Sequence, residues 1–135
     1  MRYMLLMYYA PPSHTPDLLP MPEWSPEAVE AHINFMRDIN IELHANGELV
    51  GAEGLAGPDA SKTVSWKGEG APVITDGPFP ESKELLAGYW MIDVESEARA
   101  LEIAAQASTA PGPDGKPIGT EMEVRQVMGA PVPEM

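Results

Sequence analysis

The sequence contains no cysteine, which excludes disulfide bonds, thiolate nucleophiles and cysteine-based zinc sites. It also lacks an apolar run long enough to cross a membrane. The formal net charge is −13, and no cluster of Lys or Arg forms a local basic patch. Because a surface this acidic repels phosphate backbones and anionic lipid, we expect neither nucleic acid nor a membrane as a partner. The absence of cysteine fits a cytoplasmic protein, which is the location we expect.

Several catalytic motifs are absent as well. The chain has no Walker loop, Rossmann glycine pattern, GxSxG elbow or HExxH sequence. Its three histidines, His14, His32 and His44, show no metal-ligand spacing. His32 and His44 fall on one predicted helix at positions about 120° apart around its axis. His14 could approach His32 from a loop, but no feature requires it. We therefore predict no metal and no cofactor.

The 135 residues suit one domain with a single core. We expect that domain at 1–128, followed by an irregular tail at 129–135. Five prolines in residues 10–24 exclude a regular element there and predict a long loop inserted in the domain. The short apolar start leads directly into Pro11-Pro12, so we do not expect a signal peptide.

Apolar patterning predicts an alternation of strands and helices. Strands are expected at 2–9, 48–55, 62–67, 72–75, 87–94 and 120–128, and helices from Ser25-Pro26 to about 45 and from Ser96 to about 108. Segments 48–55 and 62–67 are predicted to form a hairpin joined by a Gly-Pro-Asp turn. A Gly/Pro-rich loop is expected at 111–119.

This order of elements predicts an α+β fold with an antiparallel sheet, the ferredoxin-like split βαβ arrangement. Helices in that fold cover one face of the sheet. Segments 2–9 and 87–94 are nevertheless apolar on both sides. A second copy of the same sheet is the most economical cover for the bare face. We therefore expect a homodimer with facing sheets, which is a dimeric α+β barrel.

The first helix carries a predicted inward stripe. Its members, at steps of three and four, are Val29, Ile33, Met36, Ile39 and Leu43. His32 lies one turn from Val29 and from Met36, so its ring is expected to point inward or into a cleft.

Four segments together carry a family resemblance. VITDGPFPESKELLAGYW, with the start MRYMLLMYY, the segment GELVGAEGL and the ending EVRQVM, resembles the DGPF-domain branch of the YCII-related family over nearly the whole chain. The resemblance implies a dimeric α+β barrel of ferredoxin-like domains, and it implies more about fold than about activity. A His early in the first helix and an Asp after the hairpin are proposed as a catalytic pair in that family. By this resemblance they correspond to His32 and Asp76.

The pair has a chemical rationale. Histidine titrates near neutral pH, and a neighbouring carboxylate orients one ring nitrogen, so the two can act as general acid and base. The alternative is structural. His32 would then be a core histidine with an ordinary hydrogen bond, and Asp76 would bind the backbone of its own loop.

Five more residues are candidates for substrate binding: Tyr9, Glu81, Lys83, Tyr89 and Arg125. Tyr9 and Tyr89 could direct their hydroxyls into a cleft, or they could be core aromatics whose hydroxyls reach water. Glu81 and Lys83 could line the cleft, or they could belong to a solvated loop. Arg125 could bind a carboxylate of the ligand, or it could form a cross-strand ion pair.

Two functions follow from these observations. The first is a small-molecule enzyme with a His/Asp acid–base pair in a cleft between helix and sheet, and with the loop at 10–24 as its lid. The second is a non-catalytic module that binds a small molecule or regulates through its dimer. A third possibility is a stable dimer in which the DGPF segment only shapes a turn.

Overall fold

A computed structural model of the protein describes residues 1–9, 23–57, 60–77 and 85–130. The elements in these ranges are β1 (Arg2–Tyr9), α1 (Pro26–Ala45), β2 (Leu49–Gly54), β3 (Lys62–Ser65), β4 (Val73–Asp76), β5 (Leu85–Asp93), α2 (Glu97–Ala107) and β6 (Met122–Gln126). Most of the expected loop at 10–24 and the end of the tail at 129–135 lie outside the described residues.

Four strands form one antiparallel sheet in the order β2-β5-β1-β6. The two central strands, β1 and β5, come from the two halves of the chain, and each half adds its second strand at an edge. A helix follows each central strand and leads to that edge strand. This is the ferredoxin-like α+β arrangement, which confirms the predicted fold class.

The predicted hairpin between segments 48–55 and 62–67 is wrong. β2 pairs with β5, whereas β3 pairs with β4 in a separate two-stranded sheet that runs from Lys62 opposite Asp76 to Ser65 opposite Val73. The difference has a packing reason. Leu49 and Ala52 of β2 pack against the core and therefore need a place beside the buried strand β5. β3 brings no side chain to that core.

Local signals place both helices where the sequence predicts them. The Ser25 hydroxyl accepts a hydrogen bond from the Ala28 amide at 3.1 Å, and the Ser96 hydroxyl accepts one from the Arg99 amide at 3.1 Å. α1 ends at Asn46 and Gly47, and Gly47 has a φ of 73°, which favours glycine. Neither described helix combines the length and apolar character that a bilayer crossing requires.

Both helices pack on the same face of the main sheet. The buried cluster joins residues of β1, β5 and both helices, namely Tyr3, Leu5, Ile39, Leu43, Trp90, Ile92, Val94, Ala100, Ile103, Ala104 and Ala107. The alanines of α2 allow this helix to lie close to the sheet. Asn40 of α1 accepts a hydrogen bond from the Trp90 indole nitrogen at 2.6 Å.

The inward stripe of α1 differs from the prediction in its first half. Ala28 is buried and Phe35 packs against the core, whereas Ile33 is 46% exposed and Val29 is half-buried. The predicted and the observed inward residues agree in the later turns, at Ile39 and Leu43. Helical periodicity alone does not decide which residues of the first turns face inward, because that depends on packing with distant segments.

The opposite side of the sheet is covered by neither described helix, and we call it the open face. It consists of Met4, Leu6, Tyr8, Tyr89 and Met91 on the central strands, with Glu53, Glu123 and Arg125 on the edge strands. Leu6 is buried, and the other central residues are half-buried. The Tyr8 hydroxyl donates a hydrogen bond to the Glu123 carboxylate at 3.3 Å. The open face therefore has an apolar centre and a polar edge.

An ion pair connects the end of α1 to the start of α2. Arg99 binds Glu48 through two hydrogen bonds of 2.9 Å, and both side chains are largely buried. These hydrogen bonds hold the pKa of the Glu48 carboxyl below its ordinary value and raise the pKa of Arg99. The pair contributes to stability while Glu48 is ionised.

This pair predicts a pH-dependent stability. Because the pKa of Glu48 is lower in the folded than in the unfolded chain, its contribution is complete above the unfolded pKa. It is lost as the pH falls from about 4.5 through the folded pKa. We expect Arg99→Ala to lower the free energy of unfolding by about 1–3 kcal/mol at neutral pH. We expect this difference to shrink at about pH 3. Urea unfolding of both proteins at the two pH values measures it.

Glu102 provides the control, since its exposed carboxylate lies 3.8 Å from the same guanidinium. Glu102→Gln should change stability little at either pH. An effect of Arg99→Ala that is equal at both pH values would contradict the assignment to Glu48.

Candidate functional site

His32 is held in one orientation by the chain around it. The ring is half-buried on α1, and its Nδ1 lies 3.0 Å from the carbonyl oxygen of Pro111. A carbonyl oxygen only accepts hydrogen bonds, so Nδ1 carries the hydrogen. In the neutral ring, Nε2 then holds the lone pair. This arrangement leaves Nε2 as the atom that can accept a proton.

Trp24 restricts the other side of the imidazole. The centroids of the two rings are 5.4 Å apart and the ring planes meet at 82°, so the contact is edge-on. Trp24 itself is buried. Sequence reasoning missed this residue, although an apolar residue just before a helix cap is a known signal, because it packs against the first turns of the helix.

The segment 108–120 presents the Pro111 carbonyl. Its ends are tied by hydrogen bonds of 2.9 Å from the amide of Ile118 to the carbonyl of Ala110 and from the amide of Gly119 to the carbonyl of Ser108. Within it, the amide of Gly112 donates a hydrogen bond to the Lys116 carbonyl, and Pro111 and Pro117 form an isolated antiparallel β-bridge. The Gly/Pro-rich loop expected at 111–119 is therefore folded back and held by backbone hydrogen bonds. A backbone carbonyl has no sequence signal, so the partner of His32 was not predictable.

A mainly apolar groove lies on the outer side of α1 next to this site. Its lining includes Trp24, Val29, Ile33 and Arg37. Val29 and Ile33, which the sequence placed in the core, line this groove instead. Trp24 contacts His32 and also lines the groove, whereas His32 itself is not among the lining residues. Arg37 adds one cationic group, whose guanidinium donates a hydrogen bond to the side-chain oxygen of Asn34 at 3.1 Å.

Asp76 lies on the small sheet and not beside His32. It ends β4 opposite Lys62, forms an ion pair with the Lys62 ammonium, and its side chain is 85% exposed. Within the ranges that the structure describes, no hydrogen bond joins Asp76 to His32. The next residue, Gly77, has a φ of 88° and donates its amide to the Ser61 carbonyl at 2.7 Å. Pro78 and Phe79 of the DGPF segment lie outside the described residues.

The substrate-binding candidates are distributed over different parts of the chain. Tyr89 and Arg125 belong to the open face, on the side of the sheet away from α1. Arg125 is exposed, lies opposite Met4 and makes no ion pair among the described residues. Tyr9 is the last residue of β1. Glu81, Lys83 and His14 are outside the described ranges. One protomer therefore does not bring Tyr89 and Arg125 to the side of His32.

In the described part of the chain, no group of three or more His, Asp or Glu side chains is placed to hold a metal ion. Among the described residues, His32 contacts the Trp24 ring and the backbone carbonyl of Pro111.

Comparison with known proteins gives two matches. A family model described as "YCII-related domain" matches residues 1–126, which include every strand and helix described above. An uncharacterised protein of Rhizobium meliloti (strain 1021) is 31% identical over 87 residues, a stretch that covers 64% of this chain and 69% of that protein. The name of this relative states no activity.

The contact of His32 with Pro111 predicts the tautomer of its neutral ring. A Cβ added at the buried Gly112 would lie 3.0 Å from Ile118 Cγ1, so Gly112→Ala should displace the carbonyl of the preceding residue. Imidazole nitrogen NMR shifts should show hydrogen on Nδ1 in the wild type and a smaller share of that tautomer in Gly112→Ala. The strain should also cost about 1–3 kcal/mol of stability.

Lys116→Ala is the control, because it changes an exposed side chain of the same segment and leaves the backbone contact intact. A wild-type ring with its hydrogen on Nε2 would refute the proposed geometry.

Proposed function

The chain belongs to the YCII-related domain family, and from that premise we propose that it is an enzyme acting on a small molecule, with His32 as its general acid–base group. The observation that carries the proposal is the 3.0 Å contact of Nδ1 with the Pro111 carbonyl. It fixes the ring and leaves Nε2 to accept a proton from a bound molecule. We also propose that the chain is of the DGPF branch, on the basis of residues 76–79.

Asp76 is the proposed second member of the acid–base pair. In this role its carboxylate has to give up the ion pair with Lys62 and contact the substrate or His32 instead. The ion pair that it would give up joins two largely exposed side chains, and such pairs are weak. We further propose that Tyr9, Glu81 and Lys83 contribute to binding, and that the prolines of 10–24 belong to a lid over the site.

A specific observation favours a second candidate function, a module that binds a small molecule without transforming it. Asp76 is paired with Lys62 in the described structure, and His32 is paired with a backbone carbonyl. A groove lined by Trp24 and Arg37 suits binding even when no proton is moved.

The two functions differ in their response to substitution of His32. We would expose the wild type to a panel of small organic acids, lactones and esters, detect binding by the shift of the melting temperature, and follow each bound compound by proton NMR. If the chain is an enzyme, at least one compound should be converted. His32→Gln should then reduce turnover by about a hundredfold or more. Asp76→Asn should reduce it as well.

His44→Gln is the matched control, since His44 is exposed at the other end of the same helix. It should retain full turnover. Compounds that bind both the wild type and His32→Gln without conversion would support the binding module. Undiminished turnover in His32→Gln would refute the acid–base role.

We propose in addition that the protein is a cytoplasmic homodimer whose open faces meet. Support comes from the open face itself, where Met4 and Met91 lie directly opposite each other on neighbouring strands, as do Leu6 and Tyr89. An apolar centre with a polar edge is the usual composition of a protein–protein interface. The two sheets would then form one barrel around a shared interior, which Tyr89 and Arg125 would line.

This dimer predicts a particle of twice the 14.6 kDa chain mass in sedimentation at micromolar concentration. Met91→Asp places a charge at the centre of the open face and should yield monomers. Ile41→Asp, at an exposed position on α1, is the control and should leave the dimer intact. A monomeric wild type would contradict the proposal.

A further inference from the structure

The apolar centre of the open face consists of two rows of side chains that run across the strands. Met4 lies beside Met91 in the first, which we call the methionine row, and Leu6 lies beside Tyr89 in the second, which we call the tyrosine row. Each row continues onto the edge strands β2 and β6. The edge positions decide the charge at the two ends of each row.

The charged side chains at these ends are unevenly distributed. Arg125 of β6 ends the methionine row, whereas Glu123 of β6 ends the tyrosine row. On β2, Glu53 ends the tyrosine row, and Gly51, which has no side chain, ends the methionine row. One row of the open face is therefore cationic at its edge, and the next row is anionic at both edges.

These three charges are not neutralised within the protomer. Arg125 and Glu53 are exposed and Glu123 is half-buried, and none of them forms an ion pair within the described ranges. The hydrogen bond that Glu123 accepts comes from the uncharged Tyr8 hydroxyl. The open face can therefore form charge contacts with a surface that is laid on it.

Two orientations of a two-fold dimer place one open face on another with the apolar centres aligned. Packed sheets lie about 10 Å apart with their strands within about 30° of a common line. If the two-fold axis runs across the strands, β6 lies over β6 of the partner and the two rows exchange places. If the axis runs along the strands, β6 lies over β2 of the partner and each row lies over itself.

The charges distinguish these orientations. With the axis across the strands, Arg125 lies over the partner's Glu123, and the symmetry repeats the contact. With the axis along the strands, Glu53 lies over the partner's Glu123, again twice, and Arg125 lies over the partner's Gly51. Opposite charges that face each other across an interface favour association, whereas like charges oppose it.

The charged pair at one end of the sheet does not reverse this preference. Arg2 lies opposite Asp93 there, and an axis along the strands would place Arg2 over the partner's Asp93. Asp93 already binds the Met1 ammonium at 3.0 Å, and two such contacts would at best offset the two contacts between carboxylates. With the axis across the strands, Arg2 and Asp93 lie over the uncharged Tyr8 and Leu86 of the partner, and no like charges face each other.

We propose that the two-fold axis of the homodimer runs across the strands, so that Arg125 of each protomer binds the partner's Glu123. The inference rests on the proposed homodimer and adds to it the orientation of the copies and the polar contact at their edge. Arg125 then has an ion pair between subunits in place of the cross-strand pair that its position in the sequence allows.

Charge reversal in separate chains tests this contact. Arg125→Glu and Glu123→Arg each place like charges at both contacts of their own homodimers, so each should raise the dissociation constant at least about tenfold. A heterodimer of the two variants has opposite charges at both contacts. An equimolar mixture should therefore dimerise within about threefold of the wild type, as measured by sedimentation.

Lys116→Glu is the matched control, because it makes the same change in net charge as Arg125→Glu at an exposed position on the segment 108–120. It should leave the dissociation constant within about twofold of the wild type. Glu123→Arg makes a chain of net charge −13 less negative, so a general reduction of repulsion predicts tighter association. Weaker association of this variant must therefore have a local cause.

Neutral substitutions give a second measurement if a reversed charge prevents folding. Glu123→Gln keeps an oxygen for the Tyr8 hydroxyl and removes only the charge. Arg125→Gln and Glu123→Gln should each raise the dissociation constant by about threefold or more. Both changes in one chain should cost no more than either alone, because each already removes the same two ion pairs.

The outcomes separate the orientation from the homodimer on which it rests. A dimeric wild type whose association is tightened by Glu123→Arg and unchanged by Arg125→Glu would show that the axis runs along the strands, and would overturn the inference alone. Two weakened variants that do not recover on mixing would also overturn it, as would two variants that dimerise like the wild type. A monomeric wild type would overturn both the inference and the homodimer.

Discussion

The pairing of β1 with β5 is the constraint on which the rest of the structure depends. Leu5 lies opposite Trp90, and both point into the core beneath the helices, while Leu6 lies opposite Tyr89 and points the other way. Side chains alternate along a strand, so the register from Arg2 opposite Asp93 to Met7 opposite Gly88 assigns each of these side chains to a face, and the register shifts after Met7. The hydrogen bond from the Trp90 indole to Asn40 then fixes α1 above this pair. A slip by one residue would exchange the covered and uncovered faces.

The position of His32 follows from that arrangement. Ile39 and Leu43 fix the second half of α1 on the core, so the first half projects toward the segment 108–120 that precedes β6. His32 meets the Pro111 carbonyl there and Trp24 beside it. The imidazole is thus positioned by two segments that are far apart in sequence. This positioning is what distinguishes it from the exposed His44 on the same helix.

The sheet also explains why the isolated protomer leaves apolar surface in water. Only two helices are available in the described chain, and both lie on one face. On the open face Leu6 is buried and Met4, Tyr8, Tyr89 and Met91 are half-buried, whereas Val64 and Ile74 of the β3–β4 hairpin are exposed. The open face is the surface through which the proposed homodimer would form, because a two-fold interface uses the same patch on both copies.

Much of this architecture was determined by local sequence. The caps Ser25 and Ser96, the turn at Gly47 and the apolar strands define helix and strand positions because these signals act between near neighbours. His32 is half-buried, although the predicted stripe from which its position was inferred is wrong in the first half of α1. Tertiary structure alone decided that β2 pairs with β5, that Ala28 and Phe35 replace Val29 and Ile33 in the core, and that Asp76 binds Lys62. Each of these outcomes is a competition between surfaces for burial or for a charge partner. Local periodicity does not include the energy of that competition, because the competing groups come from distant parts of the chain.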